Sequence, residues 1–193
     1  MSRTTLPRKP RIDFYPTPAW CVHRLLEAVD LPGGSWLEPC VGDGAIVRAV
    51  NDVRSDVSWS TIDVRPSTKA DLIADFVALG YGDAIDSIQP KGGWDVIVTN
   101  PPFSLALEFV EEALRRSRVV AMLLRLGWLS SSKRHPFVSQ NTPDVYVLPD
   151  RPSFDPQKKC GSDTADYGWM VWGPGRGGRI EILKTTPTER RAA

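Results

Sequence analysis

The segment Asn100-Pro101-Pro102-Phe103 carries groups that can hold a planar amine. Two consecutive prolines stiffen the backbone and remove two N–H donors, so the carbonyls of Asn100 and Pro101 are presented on a rigid turn. The Asn100 side-chain oxygen and a backbone carbonyl can accept both hydrogens of an exocyclic amine, and Phe103 offers a flat face to a heteroaromatic ring. The alternative interpretation is a proline-rich turn with an asparagine cap and a core phenylalanine. We call residues 100–103 the acceptor loop.

The elements around the acceptor loop predict where it lies. Residues 94–99 form an apolar run typical of a buried strand. The apolar spacing from Ala106 to Ala113 predicts a helix, with Ser104 as its N-cap. Ligands bind at the carboxyl ends of the strands in an open α/β sheet. We therefore expect the acceptor loop at a ligand-binding edge.

A second strand, turn and helix occur upstream. Residues 35–38 read as a short strand, and residues 39–44, here called the glycine loop, lead into an apolar helix. Gly42 and Gly44 allow close approach of a ligand to the backbone. The pattern Glu-Pro-x-x-Gly-x-Gly lacks the third glycine of the dinucleotide fingerprint. The Glu38 carboxylate would repel a pyrophosphate but suits a cationic ligand, which predicts S-adenosylmethionine instead of NAD.

Two more acids end predicted strands. Asp63 closes residues 58–63, about twenty residues beyond the glycines, where an acid can bind ribose hydroxyls. Asp75 and Phe76 follow a third short strand, residues 70–74, and could hold an adenine amino group and pack its ring. A single aspartate at a strand end is more often a turn residue. Together with Glu38, three acids at three successive strand ends favour a ligand site.

The remaining pattern completes an α/β sheet. A first helix is predicted after Thr17 as N-cap and Pro18 as first helical residue. The last two strands have no helix between them, so they are expected to pair antiparallel at the edge of the sheet. The later predicted strands are residues 118–126, 144–148, 167–172 and 179–183.

Composition indicates a single globular domain. The chain has 193 residues, and its 41% hydrophobic and 24% charged content is typical of soluble proteins. No signal peptide or membrane-spanning run is evident, so the cytoplasm is the expected location. Three dispersed cysteines and two histidines suggest neither disulfides nor a metal site.

The net charge of +1 hides a basic segment. Residues 125–160 hold six cations against three acids. Such runs are usually solvated surface, but loops after the strands ending near Leu126 and Leu148 should emerge on the same face as Asn100. The residues predicted there to contact nucleic acid are Trp128, Lys133, Arg134, Arg151, Phe154, Lys158 and Lys159.

The acceptor loop, the glycine loop and an upstream Tyr-Pro-Thr-Pro, residues 15–18, together resemble class I S-adenosylmethionine-dependent amino-methyltransferases. The likeness spans roughly residues 12–172 and is closest to small phage or prophage DNA adenine-N6 methyltransferases. It implies a Rossmann-like sheet of seven mostly parallel strands with an antiparallel last strand and helices on both faces. A single domain, residues 12–184, would carry recognition loops within about 127–165, between a basic tail, 1–11, and a flexible tail, 185–193.

The resemblance also implies roles for individual residues. The acceptor base would meet Asn100, Pro101, Pro102 and Phe103, and no metal is implied. The methionine end of S-adenosyl-L-methionine would be held by Tyr15, Thr17 and Pro18. The main loop along the cofactor would consist of Glu38, Pro39, Gly42 and Gly44. Asp63 would bind the ribose, and Asp75 and Phe76 the adenine.

The substrate is the open question at this stage. Sequence-specific DNA methyltransferases commonly carry a separate target-recognition domain, for which this chain has no room. The loops could read a short site, specificity could be low, or the acceptor could be adenine in RNA or a glutamine amide in a protein. A third class is an inactive cofactor-binding partner subunit.

Overall fold

The computed structural model describes residues 16–80, 84–154 and 164–187. Within them, eight strands form one sheet in the order β3-β2-β1-β4-β5-β7-β6-β8. The strands are β1 (Gly34–Glu38), β2 (Val57–Asp63), β3 (Leu72–Ile73), β4 (Trp94–Thr99), β5 (Ser117–Arg125), β6 (Asp144–Val147), β7 (Tyr167–Trp172) and β8 (Ile180–Ile182). The α-helices are α1 (Ala19–Ala28), α2 (Ala45–Asn51), α3 (Ala106–Arg116) and α4 (His135–Gln140).

The sheet is mostly parallel, as the sequence predicts. Strand β1 pairs in parallel with β2 and β4, and β4 with β5. Strand β7 alone runs antiparallel, between β5 and β6. Because β1, β2, β4 and β5 point the same way, their carboxyl ends meet at one edge.

The predicted end of the sheet is wrong in two respects. The described residues form eight strands instead of seven, and the antiparallel strand is β7, not the last one. Strand β8 pairs in parallel with β6 and does not touch β7. Both edges of β7 are already occupied by β5 and β6, so β8 can only add beyond β6.

Helices cover both faces of the sheet. On one face, α1 and α2 bury Leu25 and Ile46 against Trp36 of β1 and Trp169 of β7. On the other face, α3 buries Phe109 in a second cluster. Burial on both sides explains why β4 reads as a continuous apolar run.

Two predicted helix caps differ from the structure. Helix α1 has Pro18, not Thr17, at its N-cap position, and no side chain caps it. The N-cap position of α3 is Leu105 instead of Ser104, because a turn of 3₁₀-helix, Phe103–Leu105, runs directly into the helix. In neither helix does the side chain of the predicted cap residue cap the helix.

The predicted carboxyl-terminal tail starts too early. Thr186 is buried, and its N–H donates to Asp150 at 2.6 Å. Arg24 of α1 donates to the Thr185 carbonyl at 2.8 Å. The beginning of residues 185–193 therefore packs on the domain, whereas residues 1–11 and 188–193 lie outside the described ranges. Among the described helices, none has the length and apolar character needed to cross a membrane.

Candidate active site

The acceptor loop and the glycine loop line the same cavity. This cavity has a volume of about 190 Å³ and lies at the carboxyl ends of β1, β2 and β4. The sequence-predicted residues that line it are Thr17, Glu38, Pro39, Gly42, Asp63, Asp75, Phe76, Asn100, Pro101, Pro102 and Phe103. Pro18 and Gly44 do not line it, and Tyr15 lies outside the described residues.

Cys40 of the glycine loop makes hydrogen bonds with the end of β4 and with the acceptor loop. The Cys40 Sγ lies 2.7 Å from the Thr99 hydroxyl and donates to the Asn100 carbonyl at 3.4 Å. Burial, and to a lesser degree the nearby Glu38, raises the pKa of the Cys40 thiol, so the thiol stays protonated and able to donate. The sequence analysis assigned no role to Cys40 or to Thr99, the last residue of β4.

Asn100 is oriented by Thr17. The Asn100 Nδ2 donates to the buried Thr17 hydroxyl at 3.2 Å. Thr17 is thus a support for the acceptor loop and not the helix cap that the sequence suggests. With its nitrogen used in this way, the Asn100 amide keeps its oxygen to accept hydrogens from a ligand.

Glu38 is a buried carboxyl at the end of β1. Its side-chain Oε2 has no hydrogen-bond partner within the described residues. Burial raises the pKa of Glu38 well above its ordinary value, and the neighbouring Asp43 raises it further. A cationic ligand in the cavity would supply the missing partner and favour the ionised carboxylate.

Asp63 accepts a hydrogen bond from the glycine loop and is itself held by Arg65. Its Oδ2 accepts from the Gly42 N–H at 2.9 Å, and Arg65 donates to both carboxylate oxygens. Burial acts to raise the pKa of Asp63, but the hydrogen bonds from Arg65 and Gly42 outweigh it and hold the pKa below its ordinary value. A ribose hydroxyl would reach Asp63 only by replacing or joining Arg65, a residue that the sequence analysis did not single out.

Asp75 and Phe76 form the far wall of the cavity. The Asp75 carboxylate accepts from the Val77 N–H at 3.2 Å and so caps a 3₁₀-helix, Phe76–Ala78. The Phe76 ring is buried and lies 5.4 Å from that of Phe109. Asp75 therefore has the turn role considered from the sequence and also lines the cavity.

The fold has known relatives among solved structures. A 23S rRNA methyltransferase, ErmE, superposes with a TM-score of 0.56 at 14% identity, covering 89% of this chain and 72% of that one. A predicted O-methyltransferase from Agrobacterium tumefaciens gives 0.55 at 14%, covering 86% and 83%. A protein from Pyrococcus horikoshii provisionally assigned as an RNA methyltransferase gives 0.56 at 15%, covering 89% and 93%. The chain has the class I methyltransferase fold. No family model matches the sequence, and a search of curated proteins finds no relative.

In this methyltransferase fold, the residues predicted to contact nucleic acid differ in their exposure. Trp128 and Phe154 are 7% and 6% exposed, so their rings offer little surface for the predicted contact with nucleic acid. Their rings pack edge-on against Trp172 and Tyr167 because apolar rings in loops can still complete the core.

The predicted cations have varied surroundings. Arg134 donates to the Trp128 carbonyl at 2.7 Å and stacks on its ring at 5.5 Å. Arg151 is exposed and pairs with Asp166 at 2.7 Å. Lys133 is exposed, and Lys158 and Lys159 lie outside the described residues.

Arg125 is a cation at the acceptor side that the sequence analysis counted only as part of the basic segment. It ends β5, next to β4 in the sheet, and its guanidinium carbon lies 4.4 Å from the centroid of the Phe103 ring. Its position at the end of a predicted strand could have identified it, because the acceptor loop follows the end of the neighbouring strand.

Proposed function

We propose that this protein transfers a methyl group from S-adenosylmethionine to an exocyclic amine of a nucleic acid, with the N6 amine of adenine in DNA as the acceptor. The observation that carries the proposal is that the acceptor loop and the glycine loop line one cavity. Beside them, the Oε2 of Glu38 has no hydrogen-bond partner in the part of the chain that the structure describes. The methyltransferase fold supports the reaction type.

The residues of the cavity fit the cofactor. Four carboxyl residues, Glu38, Asp43, Asp63 and Asp75, line it together with Arg65, which pairs with Asp63. Carboxyl groups that outnumber the cations suit a ligand with a sulfonium and an ammonium group. Glu38 and the glycine loop would hold the amino-acid and sulfonium portion, Asp63 the ribose, and Asp75 with Phe76 the adenine. When bound, S-adenosylmethionine supplies a methyl group whose bond to sulfur breaks as the acceptor nitrogen's lone pair forms the new bond to carbon.

Asn100 and Pro101 make the acceptor nitrogen reactive. The amino nitrogen of adenine is a poor nucleophile because its lone pair is delocalised into the ring. By accepting the two amine hydrogens, the Asn100 side chain and the Pro101 carbonyl favour a pyramidal nitrogen and stabilise the positive charge that develops on it. Positioning and electrostatics therefore supply the rate enhancement.

Phe103 would bind the acceptor base by stacking. Taking a base out of a duplex costs a few kcal/mol, and stacking on an aromatic side chain returns about 1–3 kcal/mol. Two observations support this role: Phe103 follows the two prolines, and its ring packs on Tyr167 with 5.7 Å between the ring centroids.

The test is incubation with methyl-labelled S-adenosylmethionine and, separately, DNA, RNA and protein pools, followed by analysis of the labelled products. The proposal expects N6-methyldeoxyadenosine from DNA. Label in N6-methyladenosine from RNA would support the same reaction with RNA, instead of DNA, as the substrate. Label in glutamine would overturn the nucleic-acid acceptor, and the absence of transfer to all three pools would favour an inactive partner subunit.

A further inference from the structure

The guanidinium of Arg125 covers the acceptor-side ring. It lies over Phe103 at 4.4 Å from the ring centroid, and its Nε donates to the Tyr167 hydroxyl at 3.1 Å. Phe103 lines the cofactor cavity but Arg125 does not. Arg125 therefore covers Phe103 from outside the cavity lining, and we take this as the side from which an acceptor approaches when the cofactor fills the cavity.

A base and the guanidinium cannot share this position. The centroids of stacked aromatic rings lie about 4.5 Å or more apart. The guanidinium is already at that distance from Phe103, so a base stacking there must displace it. Arg125 can move because its side chain is exposed and is attached at the very end of β5.

We propose that Arg125 occupies the acceptor-stacking position in the free protein and is displaced by nucleic acid to pair with a backbone phosphate next to the acceptor base. This inference rests on the proposed function. The contact with Phe103 is lost when the base enters, and a charge-assisted hydrogen bond from guanidinium to phosphate replaces it. A nucleic acid brings the anion together with the base.

The same exchange discriminates between classes of acceptor. A glutamine side chain in a protein has a planar amide but no phosphate beside it. It would have to displace Arg125 without supplying a new anionic partner. Arg125 therefore favours a phosphate-bearing acceptor over a protein amide at this site.

The test measures binding of a fluorescent single-stranded oligonucleotide as a function of salt, for wild-type protein and for R125A, R125K and R179A. Loss of one phosphate contact should make the slope of log K against log salt shallower by about 0.7 in R125A and weaken binding at low salt about tenfold. R125K keeps the charge and should keep the slope.

Arg179 is a matched control for charge. It precedes β8 at the opposite end of the strands, its side chain is 65% exposed, and it pairs with Glu181. R179A removes the same charge and should leave the slope unchanged. Equal slopes for R125A and wild type, or equal losses in R125A and R179A, would overturn the inference.

Steady-state methylation separates the two halves of the proposal. R125A should raise KM for the oligonucleotide while kcat stays the same or rises, because no side chain has to be displaced. A lower kcat with unchanged KM would contradict displacement. If wild-type protein neither binds nor methylates nucleic acid, the proposed function itself fails. If wild-type protein methylates nucleic acid and R125A has the same salt slope, KM and kcat, only the role of Arg125 is overturned.

Discussion

The Asn100 side chain donates to the Thr17 hydroxyl at 3.2 Å, which links the acceptor loop to the segment before α1 across 83 positions of sequence. Thr17 is buried, and the bond itself is partly buried at the wall of the cavity. It fixes which end of the Asn100 amide is available to a ligand. A residue that resembles a helix cap in the sequence thus determines the orientation of the proposed catalytic amide.

Replacing Thr17 by alanine should lower turnover more than cofactor affinity. Without the hydroxyl, one of the contacts that orient the Asn100 amide is lost, and we expect kcat to fall about tenfold. The T17S variant keeps the hydroxyl and should retain most of the activity. T142A removes an exposed threonine hydroxyl that bonds to the Val138 carbonyl in α4 and should behave like wild type. Equal kcat values for T17A and T17S would contradict this role of the bond.

Binding of S-adenosylmethionine should release a proton from Glu38. Burial raises the pKa of this carboxyl in the free protein, and a cationic partner favours its ionised form. Titration calorimetry at a series of pH values above 4.5, in two buffers of different ionisation enthalpy, measures the number of protons released. We expect release by wild type and none by E38Q, which should also bind more weakly. The same proton release by both proteins would exclude Glu38 as the source.

Glu38 should also make stability depend on pH. The unfolded carboxyl titrates near its ordinary value of 4.5, whereas the folded carboxyl retains its proton to higher pH. The folded state then binds more protons, so the stability of wild type relative to E38Q falls as pH rises above 4.5. Denaturant unfolding of both proteins between about pH 5 and pH 8 checks the sign. If the stability of wild type relative to E38Q rises with pH, the buried, protonated state of Glu38 would be contradicted.

Arg65 should stabilise the domain through Asp63. The pair is largely buried, and we expect R65A to lower the free energy of unfolding by about 1 kcal/mol at neutral pH. The folded pKa of Asp63 lies below its unfolded value of 3.8, so the contribution is present above that pH and is lost as pH falls further. The exposed pair of Arg179 and Glu181 offers the comparison, since R179A should change stability by less than about 0.5 kcal/mol. An R65A deficit that persists unchanged in acid would mean that Asp63 is not its cause.

The strands next to the site could be predicted closely because their sequence signals are local. Strand β4 has the bounds expected from its apolar run, which ends at two prolines. The place of β8 could not be predicted, because a short alternating strand does not specify which edge it joins. In the structure β7 occupies one edge of β6, and β8 joins the other.

The sequence predicted which loops line the site, but not which side chains contact one another there. Residues in Glu-Pro-x-x-Gly-x-Gly and Asn-Pro-Pro-Phe line one cavity as their positions after strands suggest. The burial of Trp128 and Phe154 was not predictable, because a basic segment does not show which way its aromatic rings face. The contact of Arg125 with Phe103 depends on β4 and β5 being neighbours, which is a property of the sheet.

The most direct test of the central claim measures methyl transfer to DNA and the Kd for S-adenosylmethionine in the same N100A preparation. The control is the N51A variant. Asn51 is the last residue of α2, and its side chain accepts a hydrogen bond from Trp59. The account predicts that N100A binds the cofactor within about threefold of wild type but loses at least about a hundredfold in kcat, while N51A changes neither. Parallel loss of binding and turnover in N100A, or turnover at the wild-type rate, would contradict it.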